Sequence, residues 1–244
     1  MQHLSSLSTR APDKYHKEKI KEKTQTLAEK ISNSQKVLYA QKKFSLLIIL
    51  QGLDASGKDG LIAAVFKGLN QLGVNVRSFK KPTAEEASHD FLWRIHPHVP
   101  AAGMITVFNR SYYEDLLFPC INNKMNSRAL KERMDDINNF EKLLRNNNTA
   151  VLKFYLHISH KEQLERLHER KTNPEKFWKH NDEDWIERRK WDRYMDAYEM
   201  LFKHCNRPAW KIIPSDQNWY KEYLATKYIL EMLDELPLKY PKLT

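Results

Sequence analysis

The stretch from residue 52 to residue 60 reads GLDASGKDG and contains the spacing of a phosphate-binding loop, Gly-x-x-x-x-Gly-Lys. In such a loop the backbone N–H groups converge on phosphate oxygens, the lysine adds a point charge, and the next helix presents its positive N-terminal end. An apolar run at 44–50 and an apolar helical pattern after the loop supply the strand and helix that the motif requires. The predicted phosphate-binding residues of the loop are Gly52, Ala55, Ser56, Gly57, Lys58, Asp59 and Gly60.

Two carboxylates distinguish this loop from the usual pattern. The residue after the lysine is commonly Ser or Thr, which ligates Mg²⁺, but this chain has Asp59 there and a further carboxylate, Asp54, inside the loop. Phosphate-loop enzymes also tend to place an acidic residue at the end of a neighbouring strand, where this chain has Asn109. We therefore predict that Asp54 is the metal ligand and that Mg²⁺ is the cofactor.

Arg110, directly after Asn109, has two interpretations. A guanidinium presents a rigid fork of donors and is suited to a bidentate phosphate contact. The alternative is a surface ion pair with Glu114 or Asp115, which follow within five residues. The phosphate contact is the favoured interpretation.

The rest of the chain alternates between strand and helix patterns. Strands are predicted at 44–50, 74–79, 104–108, 151–158 and 210–213, and the helices between them include 84–95 and 127–145. Helices between strands imply crossovers and a parallel sheet covered on both faces, which is an α/β fold. Sites in such sheets form at the carboxyl ends of the strands, and the pair Lys80 and Lys81 follows the second predicted strand.

A basic segment follows the fourth predicted strand. The pattern at 162–171 predicts a helix with Arg166 and Arg170 one turn apart on a common face, and Pro174 ends it. Aromatic residues then alternate with lysines, a composition that suits a lid closing on a charged substrate. The alternative is a solvated charged helix.

A later helical pattern carries bulky side chains three and four residues apart. These are Trp191, Tyr194, Met195, Tyr198, Leu201 and Phe202. We interpret them as a core face rather than as a surface that stacks on a nucleotide base.

The overall composition favours a partner rich in phosphate. The 41 Lys and Arg residues exceed the 31 Asp and Glu residues, which gives a net charge of +10. Charge alone leaves nucleic acid, nucleotides and inorganic phosphate chains open. The N-terminal residues have no apolar signal region, and no apolar run approaches the roughly 18 residues that span a bilayer. We expect a cytoplasmic protein without a membrane partner.

Five segments together resemble the type 2 polyphosphate kinases. They are GLDASGKDG at 52–60, FKKPT at 79–83, HDFLWRIHPHVP at 89–100, FNRSYYEDLL at 108–117 and WIERRKWDRYMDAYE at 185–199. The resemblance extends over most of 44–235. It implies a thymidylate-kinase-like phosphate-loop fold in three layers, with a central parallel sheet and a helical lid. The charge-rich helical pattern at 13–43 adds a predicted N-terminal helical extension packed on the core.

The same resemblance implies an activity. Family members move phosphoryl groups reversibly between inorganic polyphosphate and a nucleotide with Mg²⁺, and FNRSYYED is similar to the subgroup that accepts both AMP and ADP. Tyr112 departs from that subgroup, which more often has histidine there. The expected partners are polyphosphate and adenine nucleotides, with guanine nucleotides left open, in a homo-oligomer that is a dimer or a tetramer and binds no nucleic acid.

These expectations assign regions and roles. We predict an N-terminal extension at 1–43 and a phosphate-loop kinase domain at 44–244, with a lid at about 165–182. The catalytic residues are predicted to be Asp54, Lys58 and Arg110; the further nucleotide and phosphate contacts Asn109, Glu114 and Asp115; and the polyphosphate contacts Lys80, Lys81, Arg94, Arg166, Arg170 and Lys171.

Two other classes of protein fit part of the pattern. An ATP-dependent nucleoside monophosphate kinase would use the same loop, lid and fold, and only the identity of the phosphoryl donor separates it from the favoured function. A non-catalytic nucleic-acid-binding module would account for the charge and the aromatic residues. It does not account for Asp54 inside the phosphate loop.

Overall fold

A single parallel sheet organises the chain, whose computed structural model describes residues 3–243. Within that range the strands lie in the order β2-β3-β1-β4-β5. The strands are β1 (Ser45–Gln51), β2 (Val74–Ser78), β3 (Ile105–Asn109), β4 (Thr149–His157) and β5 (Trp210–Pro214). Every neighbouring pair is parallel. The predicted α/β fold is confirmed, and each predicted strand overlaps an observed one.

Helices cover both faces of the sheet. They are α1 (Lys17–Gln41), α2 (Lys58–Val65), α3 (Ala84–Ser88), α4 (Glu114–Ile121), α5 (Ser127–Asn146), α6 (His160–Thr172), α7 (Asp182–Arg188), α8 (Trp191–His204) and α9 (Asn218–Asp234). Single 3-10 segments lie at Leu4–Ser6, Gln71–Gly73, His96–His98 and Pro174–Lys179. None of the helices in residues 3–243 combines the length and the hydropathy that crossing a bilayer requires.

The predicted helix at 84–95 is too long. A capping box between Thr83 and Glu86 starts α3 as expected for a helix, but the helix ends at Ser88. The Asp90 side chain then accepts a hydrogen bond from the Leu92 N–H at 2.9 Å. This local bond offers the backbone an alternative to the helix, and the chain turns there.

Strand side chains alternate between two cores. In β1, Leu46, Ile48 and Leu50 belong to the core beneath α1, α2 and α9. Leu47 and Ile49 belong to the core beneath α4, α5 and α8. Because successive side chains of a strand point to opposite faces, the continuous apolar run of β1 indicates a strand buried on both faces, in the middle of three layers.

The N-terminal region contributes to both cores. In α1, Ile20, Ile31 and Leu38 are buried against α9. Before α1, Leu4 is buried in the opposite core, and the backbone of Thr9 accepts a hydrogen bond from Asp216 N–H at 3.0 Å. Part of the predicted extension therefore passes beside the carboxyl end of β5. Residues 1 and 2 of the predicted extension and residue 244 of the predicted kinase domain lie outside the described residues.

A buried ion pair lies inside the core between α5 and β4. Glu141 and Lys153 are each 0% exposed, and their side chains meet at 2.8 Å. The other carboxylate oxygen accepts hydrogen bonds from the Tyr112 hydroxyl at 2.8 Å and the Tyr113 hydroxyl at 2.7 Å. Lys153 also donates to the Cys205 carbonyl at 2.8 Å. The network ties two tyrosines at the start of α4 to the sheet.

We expect Lys153→Met to lower the free energy of unfolding by about 3–5 kcal/mol, because it leaves the Glu141 carboxylate buried without its countercharge. Urea unfolding followed by far-ultraviolet circular dichroism measures the change. Lys161→Met is the matched control, since Lys161 forms an exposed ion pair with Glu165, and it should leave stability unchanged. A Lys153→Met protein as stable as the parent would show that the core tolerates the unpaired Glu141 and would contradict the prediction.

Candidate active site

The phosphate loop joins β1 to α2 at the carboxyl edge of the sheet. Gly57 is the N-cap of α2 with φ of 90°, in the left-handed region that favours glycine. A Cβ atom at this position would lie against Nζ of Lys221. The backbone turn therefore favours glycine at position 57, and the end of a buried lysine side chain from α9 lies close beside it.

Lys58 is the first residue of α2 and folds back on the loop. Its ammonium group donates to the carbonyl oxygens of Gly52 at 2.7 Å and Leu53 at 3.1 Å. Burial, and next the positive charge of Arg110, lower the pKa of Lys58 to about 8. Lys58 therefore loses its proton more readily than an exposed lysine, although its ammonium form still predominates at neutral pH.

Three residues from outside the loop donate to its carbonyl oxygens. Gln163 Nε2 donates to Asp54 O at 3.0 Å, and Arg166 Nη1 to Ala55 O at 3.1 Å. Lys221 Nζ, which is 1% exposed, donates to Gly57 O at 3.2 Å. A trans peptide unit points its C=O and N–H in opposite directions. These bonds therefore turn carbonyls toward α6 and α9 and the following N–H groups toward the other side of the loop.

Sequence reasoning missed Gln163 and Lys221. Burial, and next the positive charge of Arg166, lower the pKa of Lys221 to about 8. The apolar pattern of α9 indicates a core helix, and from sequence a single lysine in such a helix is interpreted as an exposed residue without a role in the site. The sequence offers one signal, the position of Lys221 near the start of the helix that follows the last strand, and this signal is weak.

Arg110 lies between two carboxylates. It forms an ion pair with Asp54, and its Nη1 donates to Glu114 at 3.5 Å. The negative charge of Glu114, the largest effect, raises the pKa of Arg110 despite its burial. Gln51, at the end of β1, also donates to Glu114 at 3.2 Å. In this conformation Arg110 makes the intraprotein ion pair that the sequence left as an alternative, and it makes it within the phosphate site.

A small cavity of about 10 Å³ lies beside these charges. It is lined by Gly52, Leu53, Asp54, Arg110, Glu114, Gln163, Asp184, Glu187, Arg188, Tyr194 and Tyr198. The loop and the start of α4 form one wall, and α7 and α8 form the other. Burial, and next the negative charge of Asp54, raise the pKa of Asp184 to about 6. The charged lining thus consists of four carboxylates and two guanidinium groups, which are suited to metal and phosphate respectively.

The bulky side chains of α8 contribute both to the core and to the lining of the cavity. The predicted core role is confirmed for Tyr198, Leu201 and Phe202, which are buried. Tyr194 and Tyr198 also line the cavity, and the Tyr194 hydroxyl donates to Glu187 at 2.8 Å. One helix face thus serves the core and the site together.

The two unusual residues of the motif contact each other. Asn109 Nδ2 donates to Asp59 Oδ1 at 2.6 Å, joining the end of β3 to the first turn of α2. The position that lacks an acidic residue thus faces a position where an acidic residue replaces Ser or Thr. Ser56 is buried, and its hydroxyl has no hydrogen-bond partner among the described residues. A Cβ at Gly60 would meet open space.

The predicted polyphosphate cations differ in their surroundings. Lys80, Lys81 and Lys171 are exposed. Arg94 is 5% exposed and donates to the Lys80 carbonyl and to Asp115, each at 2.8 Å. Arg170 is held by Asp184 at 2.6 Å. The site brings Arg166 and Arg170 toward the loop and α7, whereas the exposed lysines lie in water.

Arg94 and Asp115 line a different cavity. Its volume is about 800 Å³, and its walls come from the 82–96 segment and α5. Burial, the largest effect, raises the pKa of Asp115 although Arg94 opposes this change. Glu114 and Asp115, adjacent in sequence, therefore face two cavities, because neighbouring residues at the start of a helix point in directions about 100° apart.

The donor set beside Arg110 fits Mg²⁺. Asp54 and Glu114 supply carboxylates, and the Gln51 side-chain oxygen is buried without a hydrogen-bond partner among residues 3–243. In the same range, no cluster of three or more His, Cys, Asp or Glu side chains could hold a metal alone. Mg²⁺ commonly binds through one or two carboxylates, water and substrate phosphates, and these residues match that arrangement.

Comparisons with known proteins identify the family. A family model described as Polyphosphate kinase 2 (PPK2) matches residues 14–240. The chain belongs to the polyphosphate kinase 2 family. It is 42% identical over 218 residues, 88% of this chain and 82% of the relative, to the AMP/ADP-polyphosphate phosphotransferase of Meiothermus ruber (strain ATCC 35948 / DSM 1279 / VKM B-1258 / 21). It is 38% identical over 242 residues, 93% of this chain and 84% of the relative, to the ADP-polyphosphate phosphotransferase of Rhodopseudomonas palustris (strain ATCC BAA-98 / CGA009).

A solved structure supports the family assignment. The crystal structure of polyphosphate kinase 2 from Arthrobacter aurescens TC1 superposes with a TM-score of 0.93 at 35% sequence identity. The match covers 99% of this chain and 88% of the other. The predicted resemblance and the predicted phosphate-loop kinase fold are confirmed, and the chain is a phosphotransferase by family.

We expect Asp54→Asn to keep the fold and lose most turnover, because a neutral amide holds Mg²⁺ poorly. The measurement is kcat as a function of Mg²⁺ concentration, with the thermal midpoint as a check on folding. Asp135→Asn is the matched control, since Asp135 is an exposed carboxylate on α5 away from the phosphate loop, and it should need no more Mg²⁺ than the parent. Equal Mg²⁺ dependence in Asp54→Asn and the parent would assign the ligand elsewhere.

We expect polyphosphate binding to take up protons near pH 8. The free protein has Lys58 partly neutral at that pH because its pKa is about 8. Phosphate oxygens favour the charged form and raise the pKa, so the proton comes from the buffer. Calorimetric titration in two buffers of different ionisation enthalpy measures the uptake, which should fall at pH 6.5, where Lys58 is already protonated, and in Lys58→Met. Equal uptake at pH 8 by Lys58→Met and the parent would show that another group is responsible.

Proposed function

We propose that this chain transfers phosphoryl groups reversibly between inorganic polyphosphate and adenine nucleotides, converting AMP to ADP and ADP to ATP with Mg²⁺. The observation that carries the proposal is the 42% identity to an AMP/ADP-polyphosphate phosphotransferase across 82% of that relative. Supporting it, the phosphate loop, Arg110 and α7 enclose one cavity in this chain.

The geometry supports a division of labour at the reacting phosphates. Phosphoryl transfer needs positioning and positive charge more than covalent chemistry from the protein. The loop N–H groups and Lys58 hold the phosphates at the start of α2. Arg110 lies across the cavity, where an incoming phosphate competes with Asp54 and Glu114 for its guanidinium. Arg188, from α7, adds a further positive charge to the wall.

A bound Mg²⁺ would supply positive charge that offsets the charge of the phosphates. Asp54 is the proposed ligand, with Glu114 in reach of the same cavity. A cation held by Asp54 would compete with Arg110 for that carboxylate.

A long anion needs several cations along its path. The exposed Lys80 and Lys81 follow β2 at the same edge of the sheet as the phosphate loop, and they are the proposed outer contacts of the polyphosphate chain, together with the exposed Lys171. Arg166 and Arg170 are proposed to act closer in, where they also hold the loop and α7. Arg94 can contact polyphosphate only if its ion pair with Asp115 breaks.

A homo-oligomer, a dimer or a tetramer, is part of the proposal. The edge strand β2 exposes Val76, and Leu72 beside it is 74% exposed. An unpaired edge with exposed apolar side chains is a surface that a second copy can cover.

We expect the purified protein to make ADP and then ATP from AMP when long-chain polyphosphate is the only phosphoryl donor. AMP, ADP, GMP and GDP are offered separately with Mg²⁺, and products are separated by ion-exchange chromatography. Lys58→Ala is the control for a contaminating kinase and should lower kcat by orders of magnitude. Formation of ADP without ATP would restrict the acceptor to AMP. Turnover with ATP and AMP but none with polyphosphate would favour an ATP-dependent nucleoside monophosphate kinase.

A further inference from the structure

The side chain of Gln163 lies between the phosphate loop and α7. It is 1% exposed. Its Nε2 donates to the Asp54 carbonyl at 3.0 Å, and its Oε1 accepts from Arg188 Nη1 at 2.6 Å. One end of the amide therefore holds the loop, and the other holds the last residue of α7.

The bond to the Asp54 carbonyl sets the orientation of a whole peptide unit. Because this unit is planar and trans, holding the carbonyl toward α6 directs the N–H of Ala55 to the opposite side of the loop. The same unit carries the Cα of Asp54, the proposed metal ligand. Ala55 itself has φ of 62°, a conformation that a residue with a Cβ adopts only when its surroundings hold it.

Helix α6, which carries Gln163, is held in place by hydrogen bonds at its N-terminus. The Ser159 hydroxyl caps the helix by accepting from Glu162 N–H at 3.1 Å, and Ser159 N–H donates to Asp216 at 2.8 Å. Arg166, one turn further on, holds the Ala55 carbonyl. Gln163 therefore lies on a helix whose N-terminus is hydrogen-bonded to the segment after β5, and its Oε1 faces α7.

We propose that Gln163 is a positioning residue that couples α7 to the phosphate loop. When Arg188 binds Oε1, the amide of Gln163 is held with Nε2 toward the Asp54 carbonyl, and the loop keeps its phosphate-binding shape. Without Arg188 the amide rotates freely and the loop relaxes. This inference rests on the proposed function for its kinetic readout, and it has a second readout that does not.

The kinetic test is a double-mutant cycle between Gln163→Met and Arg188→Ala. Methionine keeps the length of the side chain and removes both hydrogen bonds. We expect Gln163→Met to lower kcat with polyphosphate and AMP about 10- to 100-fold, since a small misplacement of a reacting group has effects of this order, with a smaller change in KM. In the Arg188→Ala background the same substitution should have an effect on kcat at least about threefold smaller. Independent, multiplicative effects would overturn the coupling.

Gln163→Glu tests the two hydrogen bonds of the Gln163 side chain separately. It also replaces Gln163→Met as the test if the methionine variant does not fold. A carboxylate still accepts from Arg188 but cannot donate to the Asp54 carbonyl. We expect about a tenfold loss of kcat with a thermal midpoint near that of the parent. Parent-like kcat in Gln163→Glu would overturn the proposal.

The matched control is Gln35→Met in α1. Gln35 is also fully buried, and it exchanges two hydrogen bonds with the backbone of Asn70, at 2.8 and 2.9 Å, in a loop away from the site. It should lose stability and keep the kcat of the parent. An equal fall in kcat in Gln35→Met would show that general destabilisation explains the Gln163 variants, and this would overturn the inference.

Hydrogen–deuterium exchange supplies the readout that does not depend on the substrate. In the free protein we expect faster exchange at 52–58 in Gln163→Met and in Arg188→Ala, and unchanged exchange there in Gln35→Met. Unchanged exchange at 52–58 in both site variants overturns the coupling. A parent that exchanges as expected but shows no turnover with polyphosphate rejects the proposed function and leaves the coupling supported.

Discussion

A phosphate loop must direct its N–H groups toward the anion, and so its carbonyl oxygens point away and need donors of their own. In this protein Lys58 donates to the carbonyls of Gly52 and Leu53. Gln163 and Lys221 donate to the carbonyls of Asp54 and Gly57. A buried carbonyl without a partner costs free energy comparable to a lost hydrogen bond. The shape of the phosphate loop therefore depends on helices α6 and α9 as much as on the loop itself, and the left-handed backbone at position 57 favours glycine.

The charges of the site are balanced within the protein. Arg110 is held by Asp54 and Glu114, and Arg170 is held by Asp184. Burying an isolated charge is costly, so a site that must bind a polyanion keeps its cations paired until substrate arrives. Burial instead lowers the pKa of Lys58 and of Lys221 to about 8, so that each loses its proton more readily than an exposed lysine. Under the proposed function, phosphate binding would exchange internal ion pairs for contacts with substrate and would favour the protonated form of Lys58.

Behind the site, the buried pair Glu141 and Lys153 fixes the segment that carries Arg110 and Glu114. The hydroxyls of Tyr112 and Tyr113 both donate to Glu141. Tyr112, the one departure from the expected subgroup sequence, is thus a member of a core network rather than a substrate contact in this structure. The strained backbone of Arg110, with φ of 63°, is held between β3 and this network.

The sequence by itself determined the parallel α/β fold, the position of each strand and the phosphate loop. These features depend on local patterns: apolar runs buried on both faces, helical spacing, and a glycine-bounded loop between strand and helix. It did not determine where α3 ends, because one Asp90 side chain outweighs a helical pattern. Nor did it separate Glu114 from Asp115, which are adjacent in the chain but line two cavities.

Only the tertiary structure decided which cations are paired and which side chains support the loop. Arg94 and Lys80 read alike in sequence, yet Arg94 is buried on Asp115 while Lys80 is exposed. Gln163 and Lys221 belong to no motif, since their roles arise from carbonyl groups more than a hundred residues away in the chain. The type of a residue determines the bonds it can form. Which bonds it forms depends on distances between elements, and these exist only after the sheet and its helices have packed.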